Sequence, residues 1–553
     1  MGNYADLGTN FRNPILFADY SDPDVIRVDD TYYMTASSFN YTPGLPILIS
    51  KDMVNWKLVN YAVKNIEEKR FDIPRHSEGI WAPAIRYHDG YFFIFYGMPD
   101  EGFYVVKTKD PLGEWDKPIC ILPGKGLIDS CPFWDDDGKA YVIHGYAKSR
   151  IGFKSILGIF EISPDGTKAL TEDHFIFNGN DPEHPAVTIE GPKVYKRDGY
   201  YYIFAPAGGV KEGYQVALRS KNIYGPYEIK EVMHTGNTVI NGPHQGALID
   251  TVNGDEWFIH FQDRGLYGRI CHLQPVVWKA GWPIIGGNPD SENCGEPVYE
   301  MNKPNTGVID EPCYLESSDD FENGCYGLLW QWLGNHYDSF CGKVNDGKNG
   351  LRLFAVNPSG EKEPIIWKSS NVLTQKLIYP MFKTEILMDA SGLLSGDRAG
   401  VCMTGGQYLS AFLEKENDEY FVVVINSEGQ DDNKEEIIES KFSLSQYCEE
   451  KGISLDSAIK NILWKMEFSH EDKTLSSDDM YFQNVFKPLG GKNPVLKICL
   501  QIGKDSSNLM DLGVSYTPSD HTWVGAKVGI YSLSDNVDSK GYADFLYVHT
   551  TEI

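Results

Sequence analysis

The sequence predicts an all-β protein, a five-bladed β-propeller followed by a β-sandwich. Three observations lead there. One strand–turn–strand unit recurs five times in the first part of the chain, with starts roughly 50 to 60 residues apart. Aromatic residues (33 Tyr, 27 Phe, 12 Trp) gather in strand-like runs such as Tyr91-Phe-Phe-Ile-Phe-Tyr and Tyr200-Tyr-Tyr-Ile-Phe. Segments of helical periodicity are scarce.

The units open in order at Asp22-Pro-Asp-Val-Ile, Trp81-Ala-Pro-Ala-Ile, Asp129-Ser-Cys-Pro-Phe, Glu190-Gly-Pro-Lys-Val and His244-Gln-Gly-Ala-Leu. Each continues as an apolar strand, a tight turn and a second, aromatic strand. The turns Asp89-Gly90, Asp137-Gly138, Asp198-Gly199 and Asn253-Gly254 read as two-residue hairpins, because these residue types tolerate positive φ. The first unit uses the looser Asp29-Asp30-Thr31. A third strand and a Trp-bearing fourth follow, as in Ile47 to Trp56 and Tyr104 to Trp115. Four strands per unit is the make-up of a propeller blade, and five units give five blades. A sandwich would not repeat at this period, and a β-helix would repeat at a shorter one.

The propeller is expected over 1–301 and a Pro/Gly/Asp-rich linker over 302–318. A second domain over 319–553 starts near Asp319-Asp-Phe-Glu. Runs such as Gly350-Leu-Arg-Leu-Phe, Tyr420-Phe-Val-Val-Val-Ile and Val495-Leu-Lys-Ile-Cys-Leu, separated by turn signals, predict a β-sandwich there. A short helix or loop is expected between Ser443 and Ile462.

A chain of 553 residues is too long for one core. Its net charge of −28 leaves no basic footprint for nucleic acid and no attraction to an anionic membrane surface. A neutral ligand such as a sugar is compatible with that charge, which also serves solubility. Ten Cys show neither CxxC nor zinc spacing, so free thiols are expected. No basic-plus-apolar leader opens the sequence, and no apolar run is long enough to span a bilayer, so a cytoplasmic location is expected.

The chemistry lies in the unit starts. In a propeller the innermost strands begin around one mouth of the axial channel, so Asp22, Trp81, Asp129, Glu190 and His244 should ring it. A strand-start acid before Pro often caps a turn, which accounts for any one acid alone better than for three together. Paired carboxylates perform acid/base work on glycosidic bonds: one must donate a proton to the leaving oxygen, the other must deprotonate water. A third acid nearby raises the donor's pKa by repulsion. Asp135-Asp-Asp-Gly138 lacks the later Glu of a calcium loop and reads as a hairpin turn.

These residues resemble glycoside hydrolase family 43. The carrying motifs are Ser21-Asp22-Pro-Asp-Val-Ile, Gly79-Ile-Trp-Ala-Pro83, Ile128-Asp129-Ser-Cys-Pro-Phe, Ile189-Glu190-Gly-Pro, Gly242-Pro-His244-Gln-Gly246, Gly268-Arg269 and Gly281-Trp-Pro283. The resemblance implies an inverting five-bladed hydrolase. In it Asp22 is the general base, Glu190 the general acid, and Asp129 the acid that tunes Glu190 and orients substrate. It implies that Arg269 contacts sugar hydroxyls, that Trp81 and Phe39 wall the terminal-sugar subsite, and that His244 also meets substrate. His244 would further stand beside a divalent cation, calcium by type, held largely through water. The second part resembles the concanavalin-like sandwich (a jelly roll) of family β-xylosidases, through Leu329-Trp-Gln-Trp332, Ala399 to Gly406 and Val524 to Ile530. Tyr516 to Trp523 is then the candidate loop closing one side of the pocket, without the adjacent phenylalanines expected there.

The function implied is exo-acting hydrolysis of an oligosaccharide that releases a terminal pentose, β-D-xylose or α-L-arabinofuranose. Two alternatives stand beside it. An endo-arabinanase would need an open cleft, which the second domain opposes. A non-catalytic sugar-binding propeller would have no need of three acids. The oligomeric state is not addressed by the sequence.

Overall fold

The structure is a computed structural model that describes residues 4–308, 310–344, 349–472, 474–476, 480–481, 493–503 and 505–553. Five four-stranded antiparallel sheets come first, each built from consecutive strands. Their first strands are Asp24–Val28, Trp81–His88, Leu127–Trp134, Lys193–Arg197 and His244–Asp250. These strands or their hairpin partners neighbour one another in sequence, and the first also neighbours the last, so the five sheets close into a ring. This is the expected propeller.

Burial follows from that packing. Strand Tyr91–Met98 is buried at seven successive residues, because both faces of its blade meet a neighbouring blade. The outermost strand Ile119–Pro123 is mostly exposed. The ring closes through the N-terminal segment. Asn13 accepts from the Leu273 amide at 2.8 Å and donates Nδ2 to the Leu273 and Val298 carbonyls, and Leu16 pairs with Cys271.

Two of the four Asp/Asn-Gly turns depart from expectation. Asp89-Gly90 and Asp198-Gly199 have positive φ at both residues, as a two-residue loop requires. In Asp137-Gly138 and Asn253-Gly254 only the glycine does. There the pairs Asp135–Lys139 and Thr251–Asp255 close longer loops, and glycine fills the single left-handed position. Asp135 accepts from Tyr201 and Lys196, so the acidic triplet is a hairpin turn.

The second part is a sandwich of two seven-stranded sheets. Strand Phe382–Asp389 alternates buried and less buried residues, as a sheet with one covered face should. Strand Glu419–Glu428 instead has a continuous buried run, because its sheet is covered twice. Val422 and Val424 join the core between the two sheets, whereas Val423 and Ile425 join a cluster with Phe39, Tyr41 and Trp81 of the propeller. Leu409 and Ala411 against Tyr408 and Phe412 repeat the pattern. Helices Leu444–Lys451 and Leu455–Ile459 occupy the stretch where a short helix was expected.

The connector is fastened rather than free. Glu300–Asn302 pairs with Asn10–Arg12, Lys303 bonds Asp6 at 2.7 Å, and the Lys51 amide donates to Asp310 at 2.9 Å. Ile309 lies outside the described residues.

Candidate active site

The starts of the innermost strands share a backbone device. Asp22, Ala82, Asp129, Gly191 and Gln245 all have positive φ, at 56°, 31°, 62°, 54° and 21°. Pairing registers shift at Trp81/Ala84, Ile128/Cys131 and His244/Gly246, the mark of a β-bulge. A bulge re-aims the side chains around it. The left-handed positions correct the expectation that the five unit-start residues are equivalent. In blades 1 and 3 the acid occupies the left-handed position; in blades 2, 4 and 5 Trp81, Glu190 and His244 precede it by one. The longer glutamate makes up in reach what it lacks in position. Gly191 has no room for a side chain, since a Cβ would lie 2.3 Å from the Gln245 side chain.

Asp22 is held from three sides. Its Oδ2 accepts from Ser21 Oγ at 2.8 Å and Ser37 Oγ at 2.6 Å, and its Oδ1 from Arg269 Nη1 at 3.2 Å. Ser37 Oγ in turn accepts from the Ala82 amide at 2.7 Å, tying blade 1 to blade 2 at the acid. The second aspartate of the motif, Asp24, has another task. It is fully buried and accepts from the Ile85 amide and Arg86 Nη1, at 2.7 and 2.6 Å, as a pin between blades.

Asp129 Oδ2 accepts from the Gly191 amide at 2.8 Å. Burial, then the charge of Glu190, then that of Asp22, push the Asp129 carboxyl up to about 8. The acid cluster therefore carries a proton at neutral pH, and that proton belongs to the coupled group rather than to one residue. Glu190 Oε1 lies 3.0 Å from His244 Nε2.

The three acids open into one pocket of about 310 Å³. Phe39, Trp81 and Arg269 line it. His244 does not line it: the ring is 1% exposed and stands behind Glu190, so its expected substrate contact is replaced by support of the acid. The pocket volume sits at the low end of the roughly 300–1,000 Å³ typical of small-molecule sites. A larger cavity, of about 560 Å³, opens where the same strands end. It holds none of the three acids, and its charges are paired, as in Arg27–Asp250 and Arg197–Glu256 at 2.6 Å.

Trp523 of the sandwich forms part of the wall. Its ring meets Trp81 edge-on with centroids 4.5 Å apart, and Arg150 lies over Trp81 at 5.5 Å. The loop bearing Trp523 is docked by Ser77 Oγ, which donates to the Thr522 carbonyl at 2.7 Å, and by the Ala526 amide on the Leu266 carbonyl, also at 2.7 Å. The Gly525 amide donates to Asp19 Oδ2 at 3.0 Å, and Asp19 Oδ1 accepts from the Arg269 amide at 2.9 Å. Trp523 falls at the end of the loop chosen from sequence. Lys148, Ser149, Lys154, Thr188 and Val210 also line the pocket and carried no sequence signal, because they sit outside the repeated strands, the first two on the short helix Lys148–Ile151.

For a cation beside His244, the protein offers Nδ1 of that ring and the amide oxygens Gln215 Oε1 and Gln245 Oε1. All three are buried with no hydrogen-bond partner. Oxygen-rich donors of this kind suit a hard, hydrated ion.

A propeller with three carboxyls at one mouth, in a pocket that the second domain helps to wall, is the arrangement of a glycoside hydrolase. Residues 11–283 match the model of glycosyl hydrolases family 43, and residues 318–479 that of the beta xylosidase C-terminal concanavalin A-like domain. The chain belongs to glycosyl hydrolase family 43. A putative beta-xylosidase of Xylanibacter ruminicola is 39% identical over 66% of each chain. A beta-xylosidase of Formosa agariphila is 30% identical over 98% of this chain and 90% of the relative. A non-reducing end alpha-L-arabinofuranosidase of Bacteroides ovatus is 31% identical over 64% of this chain and 66% of its own. Among solved structures, a xylan beta-1,4-xylosidase from Bacillus halodurans superposes with a TM-score of 0.78 at 21% identity, covering 98% of this chain and all of that one.

Proposed function

We propose that this protein is an exo-acting, inverting pentosidase that releases β-D-xylose or α-L-arabinofuranose from the non-reducing end of oligosaccharides. The observation that carries the reading is the walled pocket. Trp523 walls the pocket of the three acids from the second domain, which supports a site for a chain end over one for a polymer passing through. That wall speaks against endo action. The named relatives include enzymes for both pentoses, whose hydroxyls present similar geometry.

In the mechanism, Asp22 takes a proton from the water that attacks the anomeric carbon. Ser21, Ser37 and Arg269 orient its carboxyl and leave it only an accepting role. Glu190 gives a proton to the departing glycosidic oxygen as oxocarbenium character develops. Asp129 keeps that proton within the cluster, because a second negative charge beside Glu190 is disfavoured. His244 holds one Glu190 oxygen, directing the other to the leaving group. A hydrated calcium-like cation at His244 Nδ1 would fix the tautomer with Nε2–H toward Glu190. A groove of about 490 Å³ lined by both domains, including Glu78, Arg150, Trp367 and Asp431, adjoins Trp523 and is our candidate for the leaving-group side.

The test is Glu190→Gln. Hydrolysis of unactivated xylo-oligosaccharides should fall by roughly 10²–10⁴-fold, the usual worth of general acid catalysis. Aryl pentosides with acidic leaving groups should lose much less, and the fold should be unchanged. Equal losses on both substrate types would remove Glu190 from the proton-donor role.

A further inference from the structure

Away from the acids, three side chains of ligand type converge on the seam between blade 4 and the segment returning from blade 5. Glu231 lies on the outermost strand of blade 4, Glu228–Met233, and His234 directly follows that strand. Cys294 comes from the returning segment and is 3% exposed. His234 Nδ1 is 3.3 Å from Glu231 Oε1, and Cys294 Sγ is 3.8 Å from the same oxygen. All three donor atoms lie within 4.8 Å of one another, and among the described residues no other three His, Cys, Asp or Glu do.

We propose that Glu231, His234 and Cys294 form a binding site for a zinc-like divalent cation, with water in the fourth position. The two separations to Glu231 Oε1 suit it. Around tetrahedral zinc, bonds of about 2.0–2.2 Å to N and O and about 2.3 Å to S place neighbouring donors roughly 3.4–3.6 Å apart. The donor set of one thiolate, one imidazole and one carboxylate selects zinc over calcium or magnesium. The site is held in place by backbone. The His234 amide donates to the Gly295 carbonyl at 3.0 Å and the Gly295 amide to Val232 at 3.2 Å. Asp290 Oδ1 accepts from the Glu292 and Cys294 amides, both at 2.9 Å, which fixes the turn carrying the thiol.

Binding involves no redox change. The S–H bond of Cys294 breaks, a metal–sulfur bond forms and one proton leaves to solvent, while neutral His234 binds through Nδ1. The ion would clip the outer edge of blade 4 to the returning segment. It would thereby anchor the start of the stretch that runs from His234 to His244, the residue supporting Glu190.

The experiment uses the intact chain, stripped with chelator and titrated with Co²⁺ and then Zn²⁺. A near-ultraviolet thiolate-to-cobalt band saturating at one ion per chain is expected, with one proton released per ion. Zinc should raise the unfolding temperature. Cys294→Ser should abolish the band and the thermal shift. His234→Gln, on a half-exposed residue, should weaken zinc binding by roughly 10–100-fold or more, at least what an outer partner of a ligand is worth. Both variants should keep glycosidase activity, which confirms that they fold. No band in the parent, or a band that survives Cys294→Ser through the exposed Cys120 or Cys325, overturns the site.

Discussion

Asp129 is the acid whose surroundings oppose its ionisation most. Burial and the charges of Glu190 and Asp22 push its carboxyl up to about 8, so the coupled acids hold one shared proton up to that pH, whereas an unfolded aspartate releases its own near 3.9. Between those values the folded chain binds more protons than the unfolded one. The stability this group gives is therefore full below about 4 and is lost as pH rises through about 8. Asp129→Asn, neutral throughout, should raise the unfolding temperature at pH 7 to 8, flatten this slope and lower kcat by at least about 100-fold. Calorimetry across pH 5 to 9 checks it; an Asn variant less stable than the parent at pH 8 would contradict the assignment. Three acids were legible in the sequence because a closed ring brings equivalent positions together. The one-residue offset of Glu190 was not, because placing the left-handed position at Gly191 is a backbone event with no residue signature beyond that glycine. Lys148 and Thr188 were illegible for another reason: the connections between strands, a short helix at Lys148 included, obey no period.

At the level of elements, the loop from His521 to Ala526 combines two tasks, walling the pocket and docking the domains. Trp523 carries the first. Trp523→Ala should raise KM for aryl pentosides about tenfold, since an aromatic contact is worth about 0.5–1.5 kcal/mol beyond its area. It should leave the unfolding temperature nearly unchanged; an unaltered KM would show that the ring does not meet the sugar. Gly525 carries the second. A Cβ there would lie 2.5 Å from the Gly268 amide, so Gly525→Ala should push the loop away, lowering kcat and the unfolding temperature together. Enzyme kinetics beside thermal melts separate the two variants. The sequence revealed this loop by resemblance and could not reveal what it touches, because its partners Ser77, Leu266 and Asp19 lie hundreds of residues away. The hairpins show a similar limit: Asp-Gly marks a turn, but its length depends on whether the aspartate also turns left-handed.

On the scale of the whole molecule, the two domains share their apolar interior. One cluster joins Phe39, Tyr41 and Trp81 to Leu333, Trp367 and Tyr531, and another joins Phe17 and Tyr267 to Trp330 and Phe468. Such mixed cores should melt together. Calorimetry should find a single unfolding transition, and two well-separated ones would show that the domains are energetically independent. The apolar run Tyr420 to Ile425 made a sandwich readable from sequence, but the propeller residues that cover its second face were not legible, because Phe39, Tyr41 and Trp81 lie hundreds of positions away.

The hydrogen bonds that Gly525 and Arg269 donate to Asp19, and that Arg269 donates to Asp22, reach from the sandwich to the candidate base. They bear on how such enzymes can be recombined. A chimera pairing this propeller with a relative's sandwich would keep every acid in its sequence, yet Asp19, which anchors the Arg269 backbone, would lose the Gly525 amide that holds it. Shuffling the domains of this family as interchangeable cassettes should therefore yield folded, weakly active proteins, unless the 521–526 loop travels with the propeller it was fitted to.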